Sequence, residues 1–497
     1  MDGISTKNNK SNKYESPLFL RIIVLILLVI QNTAVVILEL KLIKMSVVPG
    51  AFLIILALII FALDLPLIYA FASKNLIVSI IFSLISLVVT GVLVYLFIAA
   101  FKSDRLMSNL TSASDKELVY MTVYVRMEDG IEDISELSGE KLGYSGNDET
   151  LLYAVEGIKN LNSDITFVEE ESNIAAVKSL LKDETRAIVM NNSFLGLIGE
   201  REGYEDILDK VRELYTFAIE VESVPRFNDL DYSDVIDYLY TSNENSFVVY
   251  ITGADSWESA AVRNRSDVNL IAVVNTKTNH VQIINTPRDY YVYLPAQKGM
   301  DKLTHCGLYG IECSEATLEK LYGVKIDYYV RINFTCFEKI IDSIGGIDVY
   351  SEYDFTVEPI KHYTVGYNHC TGKEALAFAR ERYALEMGDF QRGNNQMEVI
   401  KAFVNKVTTP EILVNYDKLY NDLEGNIITD MPSEMIYNLM SNQISTGNGW
   451  NIESYTVMGR DDKLPTYTFP DEENYVLIPV MEDVEEATFK MGNVLME

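Results

Sequence analysis

The first hundred residues of the chain contain three long apolar runs. They extend over Ile22–Leu38, Val47–Ala72 and Leu76–Phe101. Because about 20 helical residues cross a hydrocarbon layer of roughly 30 Å, each run is long enough, or nearly so, to span a membrane. Three runs in series exceed the one short apolar region of a cleaved signal peptide. The pattern therefore predicts a membrane region over residues 1–102 with about three transmembrane helices.

The charges beside these runs predict an orientation. Basic residues precede the first run at Lys7, Lys10, Lys13 and Arg21. Since basic flanks stay in the cytoplasm, we expect a cytoplasmic N-terminus and, after three spans, an extracytoplasmic location for all that follows Phe101. Four further basic residues make the bias small. They are Lys41, Lys44, Lys102 and Arg105.

Beyond the membrane region, residues 106–225 alternate between strand-like and helical patterns, which predicts a small α/β accessory domain. The predicted strands are Val119–Met127, Thr166–Glu169, Ala187–Met190 and Thr216–Val221. The predicted helices are Thr150–Leu161, Asn173–Leu181 and Tyr204–Leu214. The stretch "DISELSGEKLGY" resembles the segment that opens a lobe in extracellular solute-binding proteins. Because the chain has room for only one lobe, we interpret this part as an accessory domain, with a binding module that has lost its ligand site as one hypothesis.

An acidic, turn-rich linker at residues 226–246 leads into the last and largest part, residues 247–497. Three nearly continuous apolar strands come first, at residues 247–255, 268–275 and 280–289. Helical patterns follow at Ser314–Tyr322, Phe334–Ile344, Lys373–Ala379 and Asn394–Val407. Apolar strands followed by helices predict an α/β/α domain whose central mixed sheet is covered on both faces.

The charge balance limits the functions that this chain can have. Its 41 Lys and Arg face 72 Asp and Glu, so the formal net charge is -31 at pH 7. Nucleic-acid binding over the whole surface is excluded, because it needs clustered basic residues. An anion-binding site must therefore be local.

All four cysteines lie beyond the membrane region. They are Cys306, Cys313, Cys336 and Cys370. An even number in an exported domain predicts two disulfides, and the short loop between the first two favours pairs 306–313 and 336–370. The alternative is four free, buried thiols, since free cysteine is a common core residue. The cysteines lack a C-x-x-C pair and the four histidines show no metal-ligand spacing, which counts against zinc.

Two aspartates are candidates for a metal site. Asp255 follows the first apolar strand of the large domain, where ligands of open α/β sheets bind, and Asp267 directly precedes the next strand. Two carboxylates with open positions suit Mg²⁺, which takes phosphate oxygens and waters as its other ligands. The alternative for each aspartate is a turn former or helix cap.

Several arginines are expected near these aspartates. The residues are Arg265, Arg288, Arg380, Arg382 and Arg392, with Gln396 one helical turn after the last. Arg380 and Arg382 follow a helix that begins with a capping box at Thr371 and Glu374. The guanidinium fork matches phosphate oxygens two at a time, so the set predicts a metal-assisted diphosphate site. The alternative is surface salt bridges, which we expect for Arg263 and Arg331.

Seven motifs in this part of the chain resemble, in order, those of the LytR-CpsA-Psr family of cell-wall assembly enzymes. They are "ITGADS", "RSDVNLIAVVN", "NTPRDYYVYLP", "DKLTHCGLYG", "VKIDYYVRINFTCFEKIIDSIGGIDV", "EALAFARERY" and "GDFQRGNNQ", within residues 247–410. The resemblance implies a membrane-anchored enzyme that transfers a glycopolymer from a polyprenyl pyrophosphate carrier to peptidoglycan with Mg²⁺. The partners it implies are that carrier, the peptidoglycan acceptor and the membrane, without nucleic acid.

The resemblance also assigns roles to individual residues. Asp255 and Asp267 would hold Mg²⁺, and they would form the catalytic set with Arg288, Arg380 and Arg382. The pyrophosphate contacts would be Arg265, Arg288, Arg380, Arg382, Arg392 and Gln396. For the base that accepts the acceptor's proton, the candidates are Asp255 and Asp289.

The chain departs from the family pattern at two positions. Trp257 stands where the family commonly has an arginine, which Arg263 could replace, and Asn395 stands where a basic residue is often seen. The lipid tail of the carrier needs an apolar slot. Its predicted lining is Phe334, Phe337, Ile341, Ile400 and Phe403, for which core packing is the alternative.

Two further functions stay open from the sequence. The same metal and arginine site could hydrolyse polyprenyl pyrophosphate if water, rather than a sugar, reaches the phosphorus. The chain could also be a non-catalytic protein that binds or senses the lipid carrier.

Overall fold

The computed structural model describes most of the chain. The described residues are 16–46, 48–73, 75–112, 116–145, 150–222, 236–254, 259–385, 388–408, 427–447 and 449–497. They divide into two compact units. The first contains Met1–Asn109 and Pro432–Asn448, and the second contains Leu110–Met431 and Gly449–Glu497.

Three long apolar helices dominate the first unit. They are α1 Leu18–Met45, α2 Gly50–Ser73 and α3 Leu76–Ser112. All three are long and apolar enough to cross a membrane. This confirms the three predicted apolar helices as candidate membrane spans.

A buried polar cluster joins these helices. Asp64 in α2 is 5% exposed and accepts hydrogen bonds from the amides of Gln31 at 2.8 Å and Asn32 at 2.9 Å, both in α1. The Gln31 amide oxygen accepts in turn from Ser86 Oγ of α3 at 2.7 Å. Polar side chains inside an apolar bundle need such partners, so the cluster ties all three helices together.

The accessory domain contains a five-stranded mixed sheet in the order β3-β2-β4-β1-β5. The strands are β1 Lys116–Arg126, β2 Lys141–Ser145, β3 Thr166–Glu170, β4 Ala187–Asn191 and β5 Val211–Glu222. The helices are α4 Leu151–Leu161, α5 Asn173–Leu181, α6 Asn192–Gly199 and α7 Ile207–Lys210. β2 is parallel to β3 and β4, whereas β1 is antiparallel to β4 and β5. The small α/β domain is thus confirmed.

The predicted helix Tyr204–Leu214 is wrong. Only Ile207–Lys210 is α-helical, and β5 begins at Val211. β5 pairs with β1 along its whole length, and its apolar side chains at Leu214 and Phe217 pack against the core. Pairing with a long buried strand outweighs the local helical propensity of these residues.

The larger domain is built on a six-stranded mixed sheet in the order β16-β11-β6-β7-β8-β17. Its first strands in the chain are β6 Ser246–Ala254, β7 Val268–Asn275, β8 His280–Asn285, β9 Tyr291–Leu294, β10 Gly299–Lys302 and β11 Tyr328–Asn333. The later ones are β12 Ile347–Ser351, β13 Phe355–Val357, β14 Lys361–Tyr363, β15 Gly366–Cys370, β16 Ile427–Thr429, β17 Asn451–Thr456, β18 Gly459–Leu464 and β19 Asn474–Pro479. Strands β9, β10, β12–β15, β18 and β19 form two-stranded ribbons.

Helices cover both faces of the six-stranded sheet, as predicted. The helices of this part are α8 Ile311–Tyr322, α9 Phe334–Ser343, α10 Gly372–Arg380, α11 Asp389–Val407 and α13 Met481–Met496. Between the last two in the chain lies α12 Ser433–Thr446, which does not belong to this unit. On one face Ile271 of β7 packs in a core with Leu318 of α8 and Met491 of α13. On the other face Leu270 packs with Met397 of α11. α12 is grouped with the first unit, where Tyr437 packs against Met45 and Ala100.

The disulfide prediction is wrong for this structure. All four cysteines, Cys306, Cys313, Cys336 and Cys370, are buried thiols that form no disulfide bond in the part of the chain that the structure describes. Cys306 Sγ donates to Thr317 Oγ1 at 3.5 Å, and Cys313 Sγ donates to Gln297 Oε1 at 3.2 Å. The thiols therefore serve as small core groups, which is the alternative that the sequence left open.

Candidate functional site

Four strand ends meet at one edge of the six-stranded sheet. The parallel strands β6 and β11 end side by side, with Ala254 opposite Asn333. β7 is antiparallel to β6, so its first residue, Val268, lies opposite Gly253, and β8 ends beside the start of β7. The residues that precede β7 and follow β8 are thereby brought to the carboxyl ends of β6 and β11, where ligands of α/β sheets bind.

Asp267 lies at this edge, directly before β7. It is 8% exposed, and its Oδ1 accepts hydrogen bonds from Arg288 Nη1 at 2.8 Å and from Thr304 Oγ1 at 3.3 Å. Its Oδ2 is buried and has no hydrogen-bond partner among the described residues. Burial acts to raise the pKa of Asp267, but Arg265 and Arg288 outweigh it and hold that pKa below its usual value. The site thus contains an ionised carboxylate with one oxygen left for a ligand.

Arg265 lies two residues before Asp267 and forms a hydrogen-bonded ion pair with the accessory domain. Its Nη1 donates to Glu200 Oε1 at 2.7 Å. Burial acts to lower the pKa of Arg265, but the carboxylates of Asp267 and Glu200 outweigh it and raise that pKa. The guanidinium is therefore charged and held at the sheet edge.

Two more arginines are delivered by the end of α10. The predicted capping box is present, because Thr371 Oγ1 accepts from the Glu374 N–H while the Glu374 carboxylate accepts from the Thr371 N–H. α10 ends at Arg380, whose guanidinium lies 4.5 Å from the ring centroid of Phe334. Arg382 follows two residues later in extended chain. The start and the end of this helix therefore set where both arginines emerge.

A close approach between α11 and β8 positions Arg392. A Cβ on Gly393 would lie 2.0 Å from Asn285 Nδ2, so any larger residue would have to displace the Asn285 side chain at the end of β8. Arg392, the preceding residue, lies near enough to Asp267 to help lower its pKa.

Gln396 and Asn395 hold the end of α10 from α11. Gln396 Nε2 donates to the Ala379 carbonyl at 3.4 Å, and Asn395 Nδ2 donates to the Phe378 carbonyl at 3.1 Å. These carbonyls belong to the last turn of α10, where a helix lacks its own donors. The amide of Gln396 thus supports the helix end that carries Arg380.

The predicted site residues line one cavity of about 580 Å³. Its polar lining includes Arg265, Asp267, Arg288, Arg380, Arg382, Arg392 and Gln396. The six predicted pyrophosphate-binding residues and Asp267 are therefore brought together, although they are spread over 132 positions of the chain, from 265 to 396. What these side chains bind stays a prediction.

The rest of the cavity wall is largely apolar. Of the residues predicted for the lipid slot, Phe334, Phe337 and Ile400 line the cavity. Ile341 and Phe403 belong instead to the hydrophobic cluster between α9, α10 and α11. The predicted slot and the alternative of core packing each account for part of this set.

Two predicted residues cannot be placed, and a third lies away from the cavity. Asp255 and Trp257 lie outside the described residues. Asp289 forms an ion pair with Lys302 at 2.9 Å and is absent from the cavity lining that the structure describes. Its position argues against the role of catalytic base.

Sequence reasoning missed four charged residues that line the cavity. They are Glu200, Glu338, Lys373 and Glu381. Glu200 belongs to the accessory domain, and no motif marks it. Lys373 and Glu381 stand within or beside the predicted helix 373–379, so their nearness in sequence to Arg380 was the signal available for them.

Arg263 and Arg331 belong to a buried ion-pair network between the accessory domain and the larger domain. Glu117 of β1 accepts from Arg263 Nε and from Arg331 Nη1, both at 2.7 Å. Burial acts to raise the pKa of Glu117, but Arg331 and Arg263 outweigh it and lower that pKa. Glu312 adjoins the network, and burial together with Glu117 raises its pKa to about 7. We name these four residues, Glu117, Arg263, Glu312 and Arg331, the interface cluster.

The interface cluster corrects two expectations. The salt bridges of Arg263 and Arg331 are buried rather than on the surface, because the accessory domain covers them. Arg263 is bonded to Glu117 and is absent from the described cavity lining, which argues against its replacing the family arginine at position 257.

The chain belongs to the LytR_cpsA_psr family, whose model matches residues 217–478. This match covers more than half of the chain and includes all the cavity-lining arginines. A model described as DNA polymerase processivity factor matches residues 73–190. It covers less than half of the chain and begins next to the third apolar helix, so it assigns no family.

Among curated proteins, the chain is similar to two transferases of Bacillus. It is 31% identical over 195 residues to the polyisoprenyl-teichoic acid–peptidoglycan teichoic acid transferase TagU of Bacillus cereus, covering 39% of this chain and 63% of that protein. The TagU of Bacillus subtilis is 27% identical over 252 residues, covering 50% of this chain and 80% of that protein. The chain thus spans less than two thirds of the Bacillus cereus relative. The crystal structure of B. subtilis TagU matches at 25% identity and a TM-score of 0.41, over 51% of this chain and 98% of that one.

Proposed function

We propose that the protein is an extracytoplasmic phosphotransferase that moves a teichoic-acid-type glycopolymer from a polyprenyl pyrophosphate carrier to peptidoglycan. The observation that carries the proposal is the cavity in which five arginines and Asp267 adjoin an apolar wall. Such a cavity fits a ligand with a doubly charged head and a hydrocarbon tail. The names of the Bacillus relatives support the substrate class.

The arginines account for the pyrophosphate head. Each guanidinium presents five N–H donors in a planar fork, and two neighbouring N–H groups match two phosphate oxygens. Among the described acids that line the cavity, Asp267 is buried, whereas Glu200, Glu338 and Glu381 are more exposed. The cationic side chains of this lining outnumber its carboxylates. The excess of positive charge stabilises an anion, and it does so most strongly where water is excluded.

A divalent cation fits the donors at the sheet edge. The buried Oδ2 of Asp267, without a hydrogen-bond partner among the described residues, is the kind of hard oxygen ligand that Mg²⁺ prefers. Asp267 would hold Mg²⁺ together with Asp255, the predicted second ligand. When bound there, Mg²⁺ would supply charge neutralisation on the phosphate oxygens.

In the proposed reaction a peptidoglycan hydroxyl attacks the sugar-proximal phosphorus and gives its proton to Asp255, the remaining candidate base. The bond from that phosphorus to the bridging oxygen breaks. Polyprenyl phosphate leaves with the bridging oxygen. Arg265, Arg288 and Arg382 stabilise the charge that develops on the two phosphates, since phosphoryl transfer depends on positioning and electrostatics. Arg288 also holds Asp267 in place through its 2.8 Å hydrogen bond.

The apolar wall and the membrane helices fit the lipid tail and its location. Phe334, Phe337 and Ile400 offer the tail a surface that excludes water. The three apolar helices would anchor the protein where the carrier resides, with the N-terminus in the cytoplasm and the cavity outside.

A transfer assay tests the proposal. The full chain in detergent is incubated with a short-chain polyprenyl pyrophosphate disaccharide, peptidoglycan oligomers and Mg²⁺, and glycan coupled to peptidoglycan is measured. Asp267→Asn keeps the shape of the carboxyl group but removes its charge, so transfer should fall by about 10²-fold or more. Asp471→Asn, which alters an exposed carboxylate away from the cavity, is the matched control.

Three outcomes contradict the proposal. Transfer that survives in Asp267→Asn would remove this site from the reaction. Release of polyprenyl phosphate without coupling would identify a hydrolase. Binding of the carrier without turnover would identify a sensor.

A further inference from the structure

The accessory domain forms hydrogen bonds to the segment that leads to Asp267. The backbone of Leu118 in β1 pairs with this segment on both sides, because Leu118 N–H donates to the Ala261 carbonyl and Arg263 N–H donates to the Leu118 carbonyl, each at 2.8 Å. Ser193 Oγ of α6 donates to the Arg263 carbonyl at 3.2 Å. The chain between the first and second candidate metal ligands is therefore held in part by another domain.

Glu200 is a further contact between the two domains, and it lies in the cavity lining. It follows α6 directly, and its N–H bonds to the carbonyls of that helix's last turn. α6 is anchored by Phe194 and Ile198, which pack in a core shared with Leu308 and Phe469 of the larger domain. Glu200 is thus carried on a fixed helix end, and its carboxylate lies 2.7 Å from Arg265 Nη1.

We propose that Glu200 is a positioning residue, by which the accessory domain completes the anion-binding site and holds Arg265 toward the phosphates. This inference rests on the proposed function, since it takes the pyrophosphate of the carrier as the ligand of Arg265. The hydrogen bond to Glu200 uses one of five guanidinium donors, so the others can still bind phosphate oxygens. An arginine that is already oriented loses less rotamer freedom when the ligand arrives.

The charge of Glu200 opposes this effect only weakly. Its side chain is 60% exposed, whereas that of Arg265 is 23% exposed. An exposed carboxylate is screened by water and salt, so its repulsion of a bound pyrophosphate is small. The orientation of Arg265 therefore dominates, and loss of Glu200 weakens anion binding.

A double-mutant cycle tests the inference with inorganic pyrophosphate as the probe. Calorimetric titration of the full-length protein should show that Glu200→Ala weakens pyrophosphate binding by about three- to ten-fold, the usual size of a direct coupling. In the Arg265→Ala background the same change should have no effect, because the residue that Glu200 positions is absent. Glu200→Gln should retain part of the affinity, since its amide oxygen still accepts from Arg265.

Glu202→Ala is the matched control, because Glu202 is an exposed acid two residues away. Its binding of pyrophosphate should equal that of the unaltered chain. The inference would be overturned if Glu200→Ala bound pyrophosphate as tightly as the unaltered chain, or more tightly. It would also be overturned if Glu200→Ala still weakened binding in the Arg265→Ala background. Absence of pyrophosphate binding by the unaltered chain would overturn it as well.

The transfer assay run beside the titrations separates the two proposals. Coupling between Glu200 and Arg265 without glycan transfer would leave the positioning role intact and refute the phosphotransferase. Glycan transfer without that coupling would support the phosphotransferase and refute the positioning role of Glu200.

Discussion

Arg263 and Arg265 are two residues apart, yet they serve different regions of the molecule. Arg263 points into the interface cluster, where it and Arg331 share the carboxylate of Glu117. Arg265 points into the cavity, where it lies with four other arginines. In the interface cluster two arginines share the buried carboxylate of Glu117, with Glu312 beside them. In the described cavity lining the cationic side chains outnumber the carboxylates.

Structural arginines and ligand-binding arginines differ in how the protein balances their charge. A buried arginine whose charge is matched by the protein needs no ligand, and its removal should damage folding. A group of arginines whose charge exceeds that of its acidic neighbours is stabilised by an external anion, and its removal should damage function. Substitutions that change one cluster and leave the other intact should therefore affect either stability or function.

The largest effect is expected from Glu117→Ala. The change leaves Arg263 and Arg331 buried without their shared carboxylate, and breaking such a pair costs about 3–5 kcal/mol of unfolding free energy. Thermal and chemical unfolding of the full chain, followed by circular dichroism, measure this loss. Glu220→Ala removes an exposed ion pair with Lys116 in the same domain and should cost at most about 1 kcal/mol. Equal stabilities of the two variants would refute the structural role of the interface cluster.

Arg382→Ala should show the opposite behaviour. Arg382 lines the cavity, and its loss should lower the rate of glycan transfer by about 10²-fold, as expected for a donor to developing charge. The unfolding free energy should stay within about 0.5 kcal/mol of the unaltered value. Arg460→Ala, at an exposed position on β18, should change neither quantity. A stability loss as large as that of Glu117→Ala would erase the distinction between the two clusters.

Glu312→Gln should reveal the pH response of the interface cluster. The folded protein raises the pKa of Glu312 from 4.5 to about 7, so this group stabilises the fold fully below about pH 4.5 and loses that contribution as the pH rises to about 7. The glutamine variant lacks this loss. It should therefore be more stable than the unaltered chain at pH 8, by about 1–2 kcal/mol, and lose the advantage at pH 5. Parallel unfolding curves at both pH values would contradict the assignment.

Salt should produce the smallest and most selective effect. Cavity arginines are reached by solvent ions, so raising NaCl from about 50 to about 500 mM should weaken pyrophosphate binding several-fold. The interface cluster is buried and screened much less, so the unfolding midpoint should change little. Calorimetry and thermal unfolding across the same salt series compare the two directly. A midpoint that falls in step with the affinity would mean that the interface cluster is open to water.

The elements of the fold were predictable where the signal is local. The three apolar runs, the strand 268–275 and the capping box at Thr371 are each encoded within a short window, and each is found in the structure. The helix predicted at 204–214 failed because its fate depends on pairing with β1, some ninety residues earlier. Local propensity does not contain that partner.

The arginines of the candidate site could be predicted from their motifs, but the acidic side chains that bond to them could not. Arg265, Arg288 and Arg380 were found because each stands in a recognisable motif at a strand or helix end. The bond from Glu200 to Arg265 spans 65 positions, and the bond from Glu117 to Arg263 spans 146. The sequence around a charged residue does not indicate which distant charge will pair with it. These ion pairs could therefore be found only from the folded structure.

The polar cluster of Gln31, Asn32, Asp64 and Ser86 has a consequence for biogenesis. Alone in lipid, α2 would carry a carboxylate without donors, because the amides that bind Asp64 belong to α1. The second helix would therefore enter the bilayer readily only as a partner of the first, and the two would leave the insertion machinery as a pair. Insertion efficiency of α2 measured with and without α1 should differ, and Asp64→Leu should abolish the difference.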